Sequence, residues 1–497
     1  MGSGSHSLQV DTETGPVAEP ADNDHLRPWL PLIFAVTTYL ILITRGAYLL
    51  KDADIYWHIV IGQWIVDHRA VPQTDLFSFT MRGAPWITSG WLSEVLYFAA
   101  YKLAGWTGPV MLAALSVSIA FYLLALLLLE RLPNIPVVIL VAAGIGMASY
   151  HVFTRPHVLI FPVMVVWANV LVDASEQRRA PSFWYLPLIT LWANLHGSFT
   201  LGLALIAVCG LEALWTADKS VRVRVALQWF RFAVLALGAA CITPYGPESL
   251  LVTLRILHLG AALSKIGEWQ PLNFGELNPV TPCLMAGLAY VLYSGLRLPP
   301  IRIAAVLAVI YQTLIHVRYV DVFALVSPFF VAGPLAQHLS WPPLQHSRIV
   351  APKRYLTEAI LALIIVSGPI IAKRDFAPPL VPRAAVEKLK EIKADRVFND
   401  YYFGGYLIFQ RIPTFIDSRA ELYGRTFMKR YMRAISLEDL ADFVKLLDEY
   451  KIDSTLLFQA TPAVGLLDRL PGWERIYAGD VAVVHVRRMY PANQGSD

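Results

Sequence analysis

Two aspartates one residue apart, Asp52 and Asp54, are followed by His58 and, further along, by Glu94 in the stretch WLSE. Carboxylates so placed can take a proton from a hydroxyl, hold a divalent cation, or cap the helix they precede. In helical register Asp54 and His58 share a face, so the imidazole could orient the carboxylate, share a cation or contact an anion. Asp-x-Asp alone is a weak metal signal, and acidic residues at a helix start also complement its dipole. The pair gains weight from its place at the head of a polar and aromatic stretch, 51–107, lying between two long apolar runs.

A second set of polar residues sits at the ends of other apolar runs: His151, Arg155 and His157 in YHVFTRPH, Asn194 and His196 in WANLHGS, Glu268 in IGEWQP, and His316, Arg318 and Tyr319 in HVRY. One histidine at a helix end is usually a satisfied polar residue, and an arginine there can snorkel to water. Four histidines on one side of a membrane imply a shared polar cavity. A zinc site among them is the narrower reading.

The elements that must position these residues are membrane spans. The chain is 56% hydrophobic and only 16% charged, with mean hydropathy +0.50, outside the range of soluble domains. Crossing the hydrocarbon takes about 20 apolar residues in a helix, and the runs are of helix length, which excludes a barrel. The first, Trp29 to Leu50, shows no cleavage site and reads as an uncleaved anchor after a disordered cytoplasmic tail, 1–28. Ten more follow at 109–129, 136–151, 158–173, 183–193, 199–216, 231–243, 281–296, 302–315, 322–339 and 357–372. Two of them, 183–193 and 231–243, are too short to span upright, so broken or tilted helices lining a cavity are expected. Cys209, Cys241 and Cys283 lack metal or disulfide spacing and read as packing residues.

Basic residues alternate between connections: Arg131; Arg178 and Arg179; Lys219, Arg222, Arg224 and Arg231; Arg297 and Arg302; Arg348, Lys353 and Arg354. The positive-inside rule then puts the N-terminus in the cytoplasm, and the 51–107 loop and the C-terminal tail outside. A net charge of +4 and pI near 8.8 are thus matters of topology, not of nucleic acid. Within the loop, a short amphipathic helix with Ile55, Ile59 and Trp64 is expected to lie in the interface, with Trp57, Trp86 and Trp91 among headgroups. Asp75 reads as a turn cap. The spans and loop form a transmembrane domain, 29–375. From 376 to 497 the pattern becomes that of a soluble α/β domain, with strands near Arg396–Asn399, Thr414–Ile416, Ser454–Phe458 and Val481–Val486 and helices near 426–435 and 437–450. There Asn399, Asp400, Asp417, Arg419 and Glu421 either close the cavity or bind acceptor, or else form a turn at Asn399-Asp400 and an internal contact between Asp417 and Arg419.

The segments DADIYWHIVIGQWIV, PQTDLFSFT, GAPWITSGWLSEVLY and FNDYYFGGYLIF…PTFIDSRAELYG resemble a group of bacterial membrane proteins of the GT-C superfamily. That superfamily includes protein O-mannosyltransferases, oligosaccharyltransferases and lipid A aminoarabinose transferases. The resemblance implies an α-helical polytopic fold of about eleven spans with an outer α/β domain, in a bacterial inner membrane. It also implies transfer of a sugar from a polyprenyl-phosphate donor to a lipid, glycan or protein acceptor in the cell envelope. Asp54, then Asp52, would be the general base, with Glu94 completing an acidic site and a divalent cation, Mg or Mn, an open possibility. His58, Arg155, His157, His196, Glu268, Arg318 and Tyr319 would bind substrate, the two arginines offsetting phosphate charge. The rivals are a transporter or flippase of lipid-linked glycans, expected to show internal repeats and intramembrane charges, and a non-catalytic envelope assembly protein.

Overall fold

The computed structural model describes residues 25–149, 151–257, 267–341, 367–368, 376–379 and 381–488. It is mostly helical. Among the described residues, five helices are long and apolar enough to cross a membrane: Arg27–Thr44, Thr107–Leu129, Phe199–Thr216, Arg222–Ala240 and Val317–His338. Shorter apolar helices, Asn134–Ala148, Val280–Ser294 and Pro300–Ile315, pack among them. Thr107–Leu129 is the central one, apolar all round as a helix enclosed by protein and lipid must be. Its Ala113, Ala114, Ala120 and Ala125 let the Leu30–Thr44 and Phe161–Glu176 helices approach closely.

Several span expectations need correction. The run at 231–243 is the back half of a 19-residue helix that starts at Arg222. Long arginine stems carry a helix into the headgroup region, where a hydropathy scan stops. Arg302, expected in a basic loop, is buried and closed by Glu212 at 2.6 Å and Glu176 at 3.0 Å. Charges that cancel across three helices are invisible when each run is read alone. The run at 183–193 does stay short, as helix Leu186–Leu195. The N-terminal tail lies largely outside the described residues, but Arg27 is ordered and donates to Asn134 at 2.9 Å. The run at 357–372 falls outside them except at Ser367 and Gly368.

The first loop carries two helices, Asp54–His68 and Trp91–Ala104. They touch at Gly62, where a Cβ would stand 2.1 Å from the Glu94 carbonyl oxygen. The first does not lie free in the interface: Ile55, Tyr56, Trp57, Ile59, Ile61 and Ile65 are buried. It is covered by Trp91–Ala104 and by helix Gly404–Phe409 of the C-terminal segment. Gly405 permits this, since a Cβ there would reach 2.4 Å from the Ala53 carbonyl oxygen. The tryptophan N–H groups accordingly find protein rather than headgroups. Trp57 donates to Ser418 at 2.9 Å, Trp86 to Glu421 at 3.1 Å and Trp91 to Asn194 at 2.7 Å.

The C-terminal segment holds a four-stranded sheet in the order β1-β2-β4-β3. Strand β1 (Val397–Asn399) runs parallel to β2 (Ser454–Phe458); β4 (Ala482–Arg487) is antiparallel to both β2 and β3 (Trp473–Ala478). The expected strand at Thr414–Ile416 reduces to single bridges from Thr414 to Val397 and to Ser78. Its backbone is satisfied instead by Asn399, which accepts from Phe415 N at 2.9 Å and donates to the Ile416 oxygen at 2.7 Å. Strand β3 is an exposed edge with a bulge at Arg475 to Tyr477, too polar to be read from sequence. The first loop is stitched to this sheet. Phe79 N donates to the Thr414 oxygen and Thr414 N to the Phe77 oxygen. Asp75 caps its turn as expected, accepting from Ser78 N at 3.0 Å, and also pairs with Arg419 at 2.7 Å.

Candidate functional site

Beyond Thr44 the chain makes a short turn, Gly46–Leu49, and Asp52 then accepts the Asp54 N–H at 2.8 Å, opening the Asp54–His68 helix. Thr154 N donates to the Leu49 oxygen at 2.8 Å and Tyr97 donates to the Arg155 oxygen at 2.9 Å, so the loop carrying Arg155 is pinned beside the aspartates. The Arg155 guanidinium lies 2.5 Å from Asp52 and 2.9 Å from Asp54, and its other terminal nitrogen pairs with Glu268. Arg318 takes the second Glu268 oxygen at 3.2 Å and lies 4.4 Å over the Trp269 ring. His316 holds that segment through the Trp269 backbone oxygen at 2.8 Å.

Three carboxylates thus face two guanidiniums, with consequences for protonation. Burial, opposed by Arg155 and reinforced by Asp54, pushes the Asp52 carboxyl up to about 6. Burial acts on Glu268 in the same sense, but Arg155 and Arg318 prevail and hold it well below the usual carboxylate range. Asp52 has both oxygens engaged, one by Asp54 N and one by Arg155. Asp54 meets Arg155 through Oδ2, and its Oδ1 has no protein partner among the described residues. A divalent cation would need the oxygens that Arg155 already gathers. Asp52, Asp54 and Glu268 therefore do not fit a metal while that guanidinium stands at their centre.

These groups line a cavity of about 1260 Å³ together with His58, Glu94, His157, His196 and Tyr319. Tyr401, Tyr402 and Glu421 close it from the C-terminal segment, and Phe161, Met164, Leu201 and Ala204 give it an apolar wall. Glu94 is on the lining but engaged elsewhere, fully buried and bonded by Thr88 at 2.5 Å and His58 at 3.3 Å. His58 therefore turns to Glu94, not to Asp54, because the Trp91–Ala104 helix presses a buried carboxylate against it. His196 accepts the Ser198 N–H at Nδ1, at 3.1 Å, which puts its proton on Nε2. Burial pulls its imidazolium form down to about 3 and that of His157 well below the usual histidine range, so both are neutral. Asn399 ends β1 and donates to the Asp400 oxygen, Asp400 accepts from Tyr402 N at the turn that follows, and Arg419 forks onto Asp417 at 2.7 and 2.6 Å. Sequence reading missed Asp321, buried opposite His151 and His157. The signal was present: an acidic residue at the end of an apolar run, as with the histidines.

No protein-family model matches this chain, and no curated protein does. Among solved structures, the oligosaccharyltransferase AglB from Archaeoglobus fulgidus, in complex with an inhibitory peptide and a dolichol-phosphate, matches at TM-score 0.50 and 12% identity. That match covers 84% of this chain and 69% of AglB. The apo oligosaccharyltransferase of the same organism gives TM-score 0.50 at 13% identity, over 86% and 70% of the two chains. ArnT from Cupriavidus metallidurans bound to undecaprenyl phosphate aligns along 91% of this chain and 97% of its own at 12% identity, with a TM-score of 0.30. At such identity the likeness to the oligosaccharyltransferases is one of fold alone, and it extends over most of this membrane chain.

Proposed function

We propose that the chain is a GT-C-type glycosyltransferase that moves a sugar from a polyprenyl-phosphate donor to a hydroxyl-bearing acceptor of the cell envelope. Asp54 takes the proton from the acceptor hydroxyl; the oxygen attacks the anomeric carbon; the bond from that carbon to the phosphate oxygen breaks, and polyprenyl phosphate leaves. The observation that carries this reading is the unpartnered Asp54 oxygen on a cavity with one charged wall and one apolar wall. A base must lie within hydrogen-bond reach of its hydroxyl, and Arg155 holds Asp54 in place without covering both oxygens. Arg318, held only at one nitrogen by Glu268, is the guanidinium available to the leaving phosphate, and Arg155 orients the carboxylates. This departs from an assignment of both arginines to phosphate. His196 and Tyr319 face the sugar hydroxyls, and Glu94 with His58 positions the wall behind Asp54.

In this reading the chain lies in a bacterial inner membrane with about eleven spans and a cytoplasmic N-terminus. The 51–107 loop and the 376–497 domain are periplasmic, and the domain roofs the cavity. A flippase would explain charge buried among helices, and the Arg302, Glu212 and Glu176 cluster is such charge. Its partners are closed on one another, which leaves little to carry a substrate. The test is release of free polyprenyl phosphate from lipid-linked sugars in proteoliposomes. Release with acceptor that vanishes in Asp54→Asn supports transfer, whereas movement of intact lipid between leaflets without release supports the flippase.

A further inference from the structure

We infer that His151, His157 and Asp321 form a site for one divalent transition-metal ion of the zinc class, separate from the Arg155 cluster. Among the described residues they are a group of three whose ligand atoms all lie within 4.8 Å of one another. His151 Nδ1 stands 3.6 Å and His157 Nε2 3.8 Å from the same Asp321 oxygen. These separations are long for hydrogen bonds and too short for an intervening water. Ligands held about 2.0–2.1 Å from a tetrahedral ion stand a little over 3 Å apart, so closing on an ion takes only small side-chain rotations.

The second observation is what these atoms lack. His151 Nδ1, His157 Nε2 and both Asp321 oxygens are buried without a hydrogen-bond partner. Asp321 is 2% exposed and His151 8%. A buried carboxylate with neither oxygen satisfied costs several kcal/mol unless a cation or donor meets it. The nearby arginines do not: Arg155 and Arg318 converge on Glu268. The three ligands come from separate elements: His151 from the turn after helix Asn134–Ala148, His157 from the short helix Pro156–Leu159 and Asp321 from the first turn of Val320–His338. The Thr154 to Leu49 bond fixes the chain between the two histidines. Two imidazoles and a carboxylate are the donors a borderline ion prefers to magnesium or calcium, and they leave a fourth position for a water or a substrate oxygen. His157 and Asp321 line the cavity, so that position is reachable from it.

The inference does not depend on the transfer reaction, and its test reads metal alone. Tag-free full-length protein, stripped with chelator in detergent, is titrated with Co²⁺, whose visible absorption reports coordination, and then with Zn²⁺ as competitor. The expected result is one equivalent of Co²⁺ with a low-symmetry visible band, displaced by Zn²⁺. Binding should be lost in His157→Gln and in Asp321→Asn and kept in Asp54→Asn. Absence of saturable binding to the wild-type protein overturns the inference, even if a variant fails to fold. Binding that survives in the His157→Gln, Asp321→Asn double variant also overturns it. So does binding that Asp54→Asn alone abolishes, which would assign the ion to the aspartate pair.

Discussion

Arg155 and Arg419 both gather carboxylates from the first loop and from a distant segment, yet they end in opposite states. Arg419 is sealed: its side chain and those of Asp75 and Asp417 are wholly buried. Tyr423 donates to Asp417 at 2.8 Å, and the guanidinium lies 4.8 Å from the centre of the Trp86 ring. Arg155 gathers Asp52, Asp54 and Glu268 at the edge of a cavity, with 14 to 21% of each carboxylate side chain exposed. A closed ion cluster joins two parts of a fold. An open one leaves an oxygen free, and that free oxygen on Asp54 is where the proposed proton transfer would take place.

The sharpest way to break the contrast is to neutralise one carboxylate in each cluster. Asp54→Asn is expected to lower transfer by roughly 10²- to 10⁴-fold, the usual contribution of a general base, with little change in thermal unfolding. Near wild-type turnover would move the role to Asp52. Arg419→Ala should do the reverse, costing about 3–5 kcal/mol by leaving Asp75 and Asp417 buried and unpaired. Its mark is a lowered unfolding temperature, while the fraction still folded keeps its turnover. An Arg419→Ala protein of unchanged stability would end the view of this cluster as a clasp.

Smaller effects separate the two arginines of the open site. Arg318→Ala should raise the donor KM by about 10-fold, the scale of one charge-assisted hydrogen bond, with lysine restoring only part because it lacks the fork. An unchanged donor KM would take Arg318 off the phosphate. The smallest effect is on pH. With its carboxyl raised to about 6, Asp52 is neutral below that pH and anionic above it. Once it loses its charge, Arg155 is free to close on Asp54, so turnover should rise with pH through about 6. Asp52→Asn should remove that limb, and an unchanged profile in the variant would place the titrating group elsewhere.

Much of this contrast was legible before any coordinates. The Asp52 and Asp54 pair, and the expectation that Arg155, Glu268, Arg318, His151, His157 and His196 share one polar cavity, follow from where polar residues interrupt apolar runs. The partners did not follow. Asp54 and His58 share a helical face, but Glu94 reaches His58 from the neighbouring helix, and periodicity within one element cannot register that. Asp75 was read correctly as a turn cap, and its second role depends on Arg419, 344 residues away. The loop helix looked interfacial because its apolar face is real, and the partner of that face turned out to be protein. The α/β segment was visible from composition, but strand β3 was not, since an exposed edge strand need not be apolar.

The most direct test of the central claim is a structure of the Asp54→Asn protein trapped with a polyprenyl-phosphate-linked sugar. Phosphate density against Arg318, with the sugar's anomeric carbon facing residue 54 beneath Tyr401 and Tyr402, is the predicted result. A lipid whose phosphate lies outside this cavity, away from both Arg318 and Arg155, would contradict it.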